Sequence, residues 1–279
     1  MSTLYVSENA DASAVARMLR KGITRLYGMF LGDDGRSLDR AGLVASPAFA
    51  EFETHVTHLQ RVDLASLDSS ARTAFFINVY NVLCVHGQVV HGPPSSVLAR
   101  RTFFKRTRYT IGLFSYSLDD IEHGILRCNV GNHMEEGDPR LAYMPDVRDP
   151  RIHFALNCGA ESCPPIRVYS GEDPDAFDSE LELASQVFCE SEISLIKVDS
   201  PTPGTGTAPQ VGGKSTIDLK LSKIFMWYHD DFGATDLDLI RFVLPWMAED
   251  VRTTIQDALM ATSDLDVRIQ YAPYSWKAV

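Results

Sequence analysis

Apolar residues first recur at helical spacing between residues 15 and 29. Val15, Met18, Leu19, Ile23, Leu26 and Met29 follow one another at intervals near three and four, and Gly32 supplies a stop, which predicts an amphipathic helix. Ser46-Pro47 opens a second helix through Phe49, Phe52 and Val56. A third starts near Ser69 or Ser70 and runs through "ARTAFFINVYNVLCVHGQVV" until Gly92-Pro93-Pro94. The pattern then shortens. "YTIGLFSYS" predicts short strands around Gly112, and Ser117 with Asp120 three residues on forms a capping box that opens a helix. Residues 129–150 are loop-rich, and "RIHFALNC", residues 151–158, has the length and apolar content of a buried strand. Helical spacing returns after Pro174, "TIDLKL" alternates, a closing helix carries Pro245 as a kink, and "VRIQYAPYSW" reads as a strand-like tail.

The elements predict an α+β fold: an N-terminal helical layer, a small mainly antiparallel sheet carrying residues 109–168, and C-terminal helices. One domain is expected over residues 1–279. It comprises a helical extension (1–68), a core (71–232) with a flexible Pro/Gly/Thr loop at 199–216, and a C-terminal helix and tail (233–279). Within that loop, residues 208–215 loosely satisfy a phosphate-loop pattern. Ala208 replaces its first glycine, and no strand leads in and no helix leads out, so nucleotide binding is not expected.

Charge and cysteine usage narrow the function classes. A formal net charge of −11 leaves little for a nucleic acid to bind, and the basic "RRTFFKRTR" reads as solvated flanks around buried phenylalanines. No uninterrupted apolar run reaches the roughly 18 residues of a membrane span, and the start lacks the layout of a secretory signal. Five dispersed cysteines do not form a disulfide framework, so a reducing, cytoplasmic setting is expected.

Polar residues interrupt the apolar faces at a few places. Asn78 and Asn81 lie on one stripe of the third helix with Ala74 and Val85, among Phe75, Phe76, Val79 and Val82. Buried amides need partners, so they are either a site or a clamp on a loop backbone. Glu122 falls within the apolar face set by Leu118, Ile121 and Ile125, whereas His123 falls on the wetter side with Asp119 and Arg127. On a strand, His153 and Cys158 would occupy opposite faces, with Gly159 turning the chain sharply after the thiol. Cys158 and Cys163 allow three readings: small buried hydrophobes, a disulfide, or half of a zinc site completed by Cys128 and His133 at the same spacing.

Four stretches, "FFINVYNVLCVHG", "YTIGLFSYSLDDIEHGILR", "DPRIHFALNCGAESCPPIRVY" and "LSKIFMWYHDDF", resemble the domain of unknown function numbered 547. The resemblance covers roughly residues 71–232, with a weaker echo in "YAPYSW". The family's name records that its biochemistry is unassigned; the residues that match its pattern are Asn78, Tyr80, Asn81, Glu122, His123, Arg127, His153, Asn157, Cys158, Gly159, Ser162 and Cys163. Cys128 and His133 are not positions of that pattern. The tail departs from it at Tyr274-Ser275-Trp276, where an acidic residue is usual.

Two functions are expected to compete. One is a thiol-dependent hydrolase or acyl transferase, similar in outline to papain-like and transglutaminase-like enzymes. Cys158 would be its nucleophile, His123 its base, Glu122 or Asn81 the orienting group, and Asn157 or Asn78 an oxyanion donor. The other is a non-catalytic module binding a peptide or protein. A zinc-binding protein is a third reading. Neither of the first two needs a cofactor or a metal, and a peptide, protein or small acyl compound would be the partner.

Overall fold

The computed structural model describes residues 10–32, 38–171, 173–199, 215–261 and 265–277. They fall into two compact units, one formed by Met1–Leu181 with Trp276–Val279 and the other by Glu182–Ser275. The loop expected to be flexible and the phosphate-loop look-alike lie mostly outside the described residues.

The first unit is built on α1 (Ala12–Phe30), α2 (Arg40–Ala45), α3 (Pro47–Val56) and α4 (Ser69–His91). Helix α1 buries Val15, Leu19, Ile23 and Leu26 and packs on α4. Helix α4 starts at Ser69, as expected, and Asp68 caps it, its carboxylate accepting from the Ala71 N–H at 2.8 Å. Helix α4 is buried on nearly every side and has the length and hydropathy of a membrane span, yet 83% of that apolar window is buried within the fold. Its apolarity therefore belongs to a central helix wrapped by neighbours. After α5 (Val97–Arg106), β1 (Arg108–Ile111) and β2 (Phe114–Ser117) form an antiparallel hairpin in the register Ile111↔Phe114. Gly112 takes the left-handed conformation that the two-residue turn requires (φ 55°).

The capping box forms as its sequence predicts. The Ser117 N–H donates to Asp120 at 2.9 Å and the Asp120 N–H to the Ser117 hydroxyl at 3.0 Å. It opens a π-helix (Asp120–Leu126) that packs on α4 and buries Ile121, Glu122 and Ile125.

Residues 151–158 are not a strand. Asp149 accepts from the Arg151 N–H at 2.9 Å, Pro150 occupies the first helical position, and a 3-10 turn (Pro150–Phe154) results. Among the described residues no strand lies beside the segment, and the sheet expected over 109–168 reduces to the hairpin. The opposite-face argument for His153 and Cys158 therefore does not apply.

The second unit carries β3 (Ile193–Asp199), β4 (Ser215–Leu221) and β5 (Leu265–Tyr271), with β4 central, antiparallel to β3 and parallel to β5. The division between units falls within α6 (Pro174–Glu192). Between β4 and β5 run α7 (Lys223–Trp227), α8 (His229–Phe232), α9 (Asp236–Val243) and α10 (Glu249–Ala261). Ile217, Leu219 and Leu221 of β4, Phe225, Leu239, Ile240 and Ile255 are fully buried or nearly so. Pro245 breaks the expected closing helix in two instead of kinking it, because α9 ends at Val243 and a 3-10 turn (Leu244–Trp246) follows. The fold class is α+β.

Candidate functional site

Helix α4 presents polar side chains to an irregular loop, residues 155–169, and these side chains take the place of strand neighbours. Asn81 Nδ2 donates to the Ala155 carbonyl at 3.0 Å while its Oδ1 accepts from the Asn157 N–H at 2.8 Å. One turn or more away, Gln88 Nε2 donates to the Cys158 carbonyl at 2.8 Å. Toward the start of the helix, Asn78 treats Tyr169 the same way, donating to its carbonyl at 2.8 Å and accepting from its N–H at 3.2 Å. Buried peptide groups need such partners, and amides supply both a donor and an acceptor. Both asparagines clamp a loop backbone.

Asn157 closes the loop on itself, donating to the Pro164 carbonyl at 2.7 Å and accepting from the Gly159 N–H at 2.7 Å. Gly159 turns sharply with φ 77°, and a side chain there would collide with the Gln88 amide. The turn brings the two thiols together: Cys158 Sγ and Cys163 Sγ are 2.7 Å apart, and the Cys158 N–H donates to Cys163 Sγ at 3.2 Å. Both cysteines are half-buried.

Behind the pair, Cys84 is fully buried, and Gln88 Nε2 donates to its sulfur at 3.7 Å. Burial pushes the Cys84 thiol far up, and the neighbouring Cys163 and Glu122 push the same way, so Cys84 stays protonated. The Tyr80 hydroxyl donates to Glu122 at 2.8 Å. His153 is buried in the 3-10 turn, and Ser162 is half-buried between the two thiols in sequence.

His123 belongs to a more exposed group. Its Nδ1 lies 2.9 Å from Arg127 Nη1, its Nε2 lies 3.9 Å from Glu122, and its ring stands beside His133. His133 faces Asp120 at 3.1 Å, and Cys128 Sγ points to the Pro145 carbonyl at 3.7 Å. Among the described residues no three His, Cys, Asp or Glu side chains converge as metal ligands. The zinc set of Cys128, His133, Cys158 and Cys163 is thus not assembled, because the first two side chains are engaged elsewhere.

A cavity of about 480 Å³ adjoins the loop, walled by Ile23 and Tyr27 of α1, Leu31 just past it, Val85 and Gln88 of α4, and Cys163. Its size is that of small-molecule sites. Sequence reasoning missed Gln88 and Cys84, although helical spacing puts Gln88 seven residues after Asn81 on the same face.

Residues 64–189 match the family described as protein of unknown function, DUF547. This segment belongs to the DUF547 family. The match takes in α4, the hairpin, the π-helix and the entire thiol loop, and ends before "LSKIFMWYHDDF". No curated protein and no solved structure matches the chain.

Proposed function

We propose that this DUF547 protein performs thiol-dependent acyl transfer or hydrolysis at the Cys158–Cys163 pair. The observation that carries the reading is the pairing itself: Cys163 Sγ receives the Cys158 N–H and lies 2.7 Å from Cys158 Sγ, on the wall of the cavity. Hydrogen bonds to a thiolate stabilise it, so Cys163 is the attacking sulfur in place of Cys158. Its sulfur bonds to the acyl carbon as the bond to the leaving heteroatom breaks. The Cys158 S–H is the adjacent proton source for that leaving group, and water or a second acceptor then takes the acyl group. Asn157 and Asn78 serve the loop backbone, and Asn81 positions the loop. His123 is tied to Arg127 and carries no role here.

The same sulfur separation supports a second reading, a dithiol that cycles with a disulfide.

The test is chemical. The reduced full-length protein is incubated with p-nitrophenyl butyrate, and adducts are mapped by mass spectrometry. Acylation of Cys163, lost in Cys163→Ser, is the expected result. Iodoacetamide should label Cys163 with a pH midpoint below the free-thiol value of about 8.5, and Cys158→Ser should raise that midpoint. A rise in the midpoint on His123→Ala would restore His123 as the base. If both thiols stay unlabelled until the protein unfolds, the chain is a binding module. If no ester acylates it but a mild disulfide oxidises the pair reversibly, the dithiol reading holds.

A further inference from the structure

Arg20 is the unexplained residue of the cavity. It stands on α1 at the head of the wall formed with Ile23, Thr24, Tyr27 and Leu31. Its Nε and Nη1 are buried with no acceptor among the described residues. The Tyr169 hydroxyl, within electrostatic reach of the guanidinium, is likewise buried without a partner. Glu180, the acidic group nearest in effect, accepts from the Ser170 N–H at 2.6 Å. Burial pushes the guanidinium's proton affinity down, as expected for a cation short of acceptors. A buried donor left empty is costly, and Arg20 retains two.

We propose that this cavity binds a small carboxylate with an apolar tail, its head group paired with Arg20. A single guanidinium matches a single carboxylate in a two-point hydrogen-bonded pair. From Arg20 to Leu31 the α1 wall extends about 16 Å at ~1.5 Å per residue, room for an extended chain. Ile23, Val82, Val85, Pro164 and Ile166 make that path apolar. A polyphosphate is a poor fit, because one arginine would face several charges in a chain of net charge −11. The proposal stands apart from the thiol chemistry: a protein with inert cysteines still binds the acid if Arg20 is the anchor.

Decanoate, decanol and decyltrimethylammonium are titrated into the full-length protein by calorimetry, with Arg20→Met and Arg20→Lys beside it. Decanoate should bind wild type more tightly than either other probe. Arg20→Met should weaken decanoate by roughly tenfold or more, the usual worth of a hydrogen bond to a charged group, and leave decanol unchanged. Arg20→Lys should recover part of the loss. Without ligand, Arg20→Met should melt no lower than wild type, since it removes an unpartnered cation. Equal affinity for decanol and decanoate, no binding of decanoate, or undiminished binding to Arg20→Met would each overturn the proposal. So would a lower unliganded melting temperature in Arg20→Met, because the guanidinium would then already be satisfied by the fold.

Discussion

Replacing Asn81 by alanine should remove two buried hydrogen bonds at once. The Ala155 carbonyl loses its donor at 3.0 Å and the Asn157 N–H its acceptor at 2.8 Å. An unpaired buried group costs about 1–3 kcal/mol, so two cost about 2–6 kcal/mol before relaxation. Asn81 also borders the 480 Å³ cavity, so water can enter and serve one of the two groups. That brings the expectation to about 2–4 kcal/mol. At roughly 2–4 °C per kcal/mol for a unit of this size, the melting temperature should fall by about 5–15 °C. Circular dichroism gives the melt, and hydrogen exchange with mass spectrometry localises the effect: protection should fall across residues 155–164 first. Asn81→Asp keeps the acceptor for Asn157 but points a carboxylate at the Ala155 carbonyl, and should be at least as damaging. A loss below about 0.5 kcal/mol with unchanged protection at 155–164 would show that the loop holds itself and that the clamp is incidental.

Two further outcomes follow from the geometry. Gly159→Ala should cost about 1–2 kcal/mol from the left-handed backbone alone, and more because its methyl group displaces the Gln88 amide from the Cys158 carbonyl; equal denaturant midpoints for the two proteins would refute this. His86 is lowered by burial, with a smaller push from His91, from 6.5 to about 4, so it is neutral when folded and makes no ion pair with Glu53 at 4.0 Å. The unfolded chain then binds the proton first. Stability present above pH 6.5 is lost as pH falls toward 4, by up to about 1.4 kcal/mol per pH unit, and His86→Phe should flatten that part of the curve.

Helices α1 and α3 were legible because their cores follow the helical period, α4 because Gly92-Pro93-Pro94 ends a long apolar stretch, and the Ser117–Asp120 box because both halves of a cap are local. Burial of Glu122 and the pairing of His123 with Arg127 follow from the same helical wheel. The thiol loop was misread for an identifiable reason. Apolar content resembles a strand when the partner groups are out of sight, and here they are amides 70 or more residues upstream in the chain. One local signal did mark the error: Asp149-Pro150 is a cap followed by a first-turn proline, which opens a helical turn and ends any strand reading. The cavity had no local signal, since its walls come from three separate segments.

The clamps also explain why the polar residues of α4 need not touch a substrate to matter for chemistry. Asn81 holds Ala155 and Asn157, Gln88 holds Cys158, and Asn157 holds Gly159 and Pro164, so every bond fixes backbone on one side or the other of the thiol pair. The distance between two sulfurs five residues apart is set by that backbone and by little else. Loosening one clamp should therefore lower stability and also weaken the Cys158 N–H bond to Cys163 Sγ. A residue acting only on stability would leave the thiol's titration midpoint in the folded protein unchanged. A residue that positions the pair would raise it, because the thiolate loses a donor. On this reasoning Asn81→Ala and Gln88→Ala shift the midpoint upward at temperatures where both remain folded. Asn78→Ala, whose partner Tyr169 lies beyond the pair, destabilises without moving it.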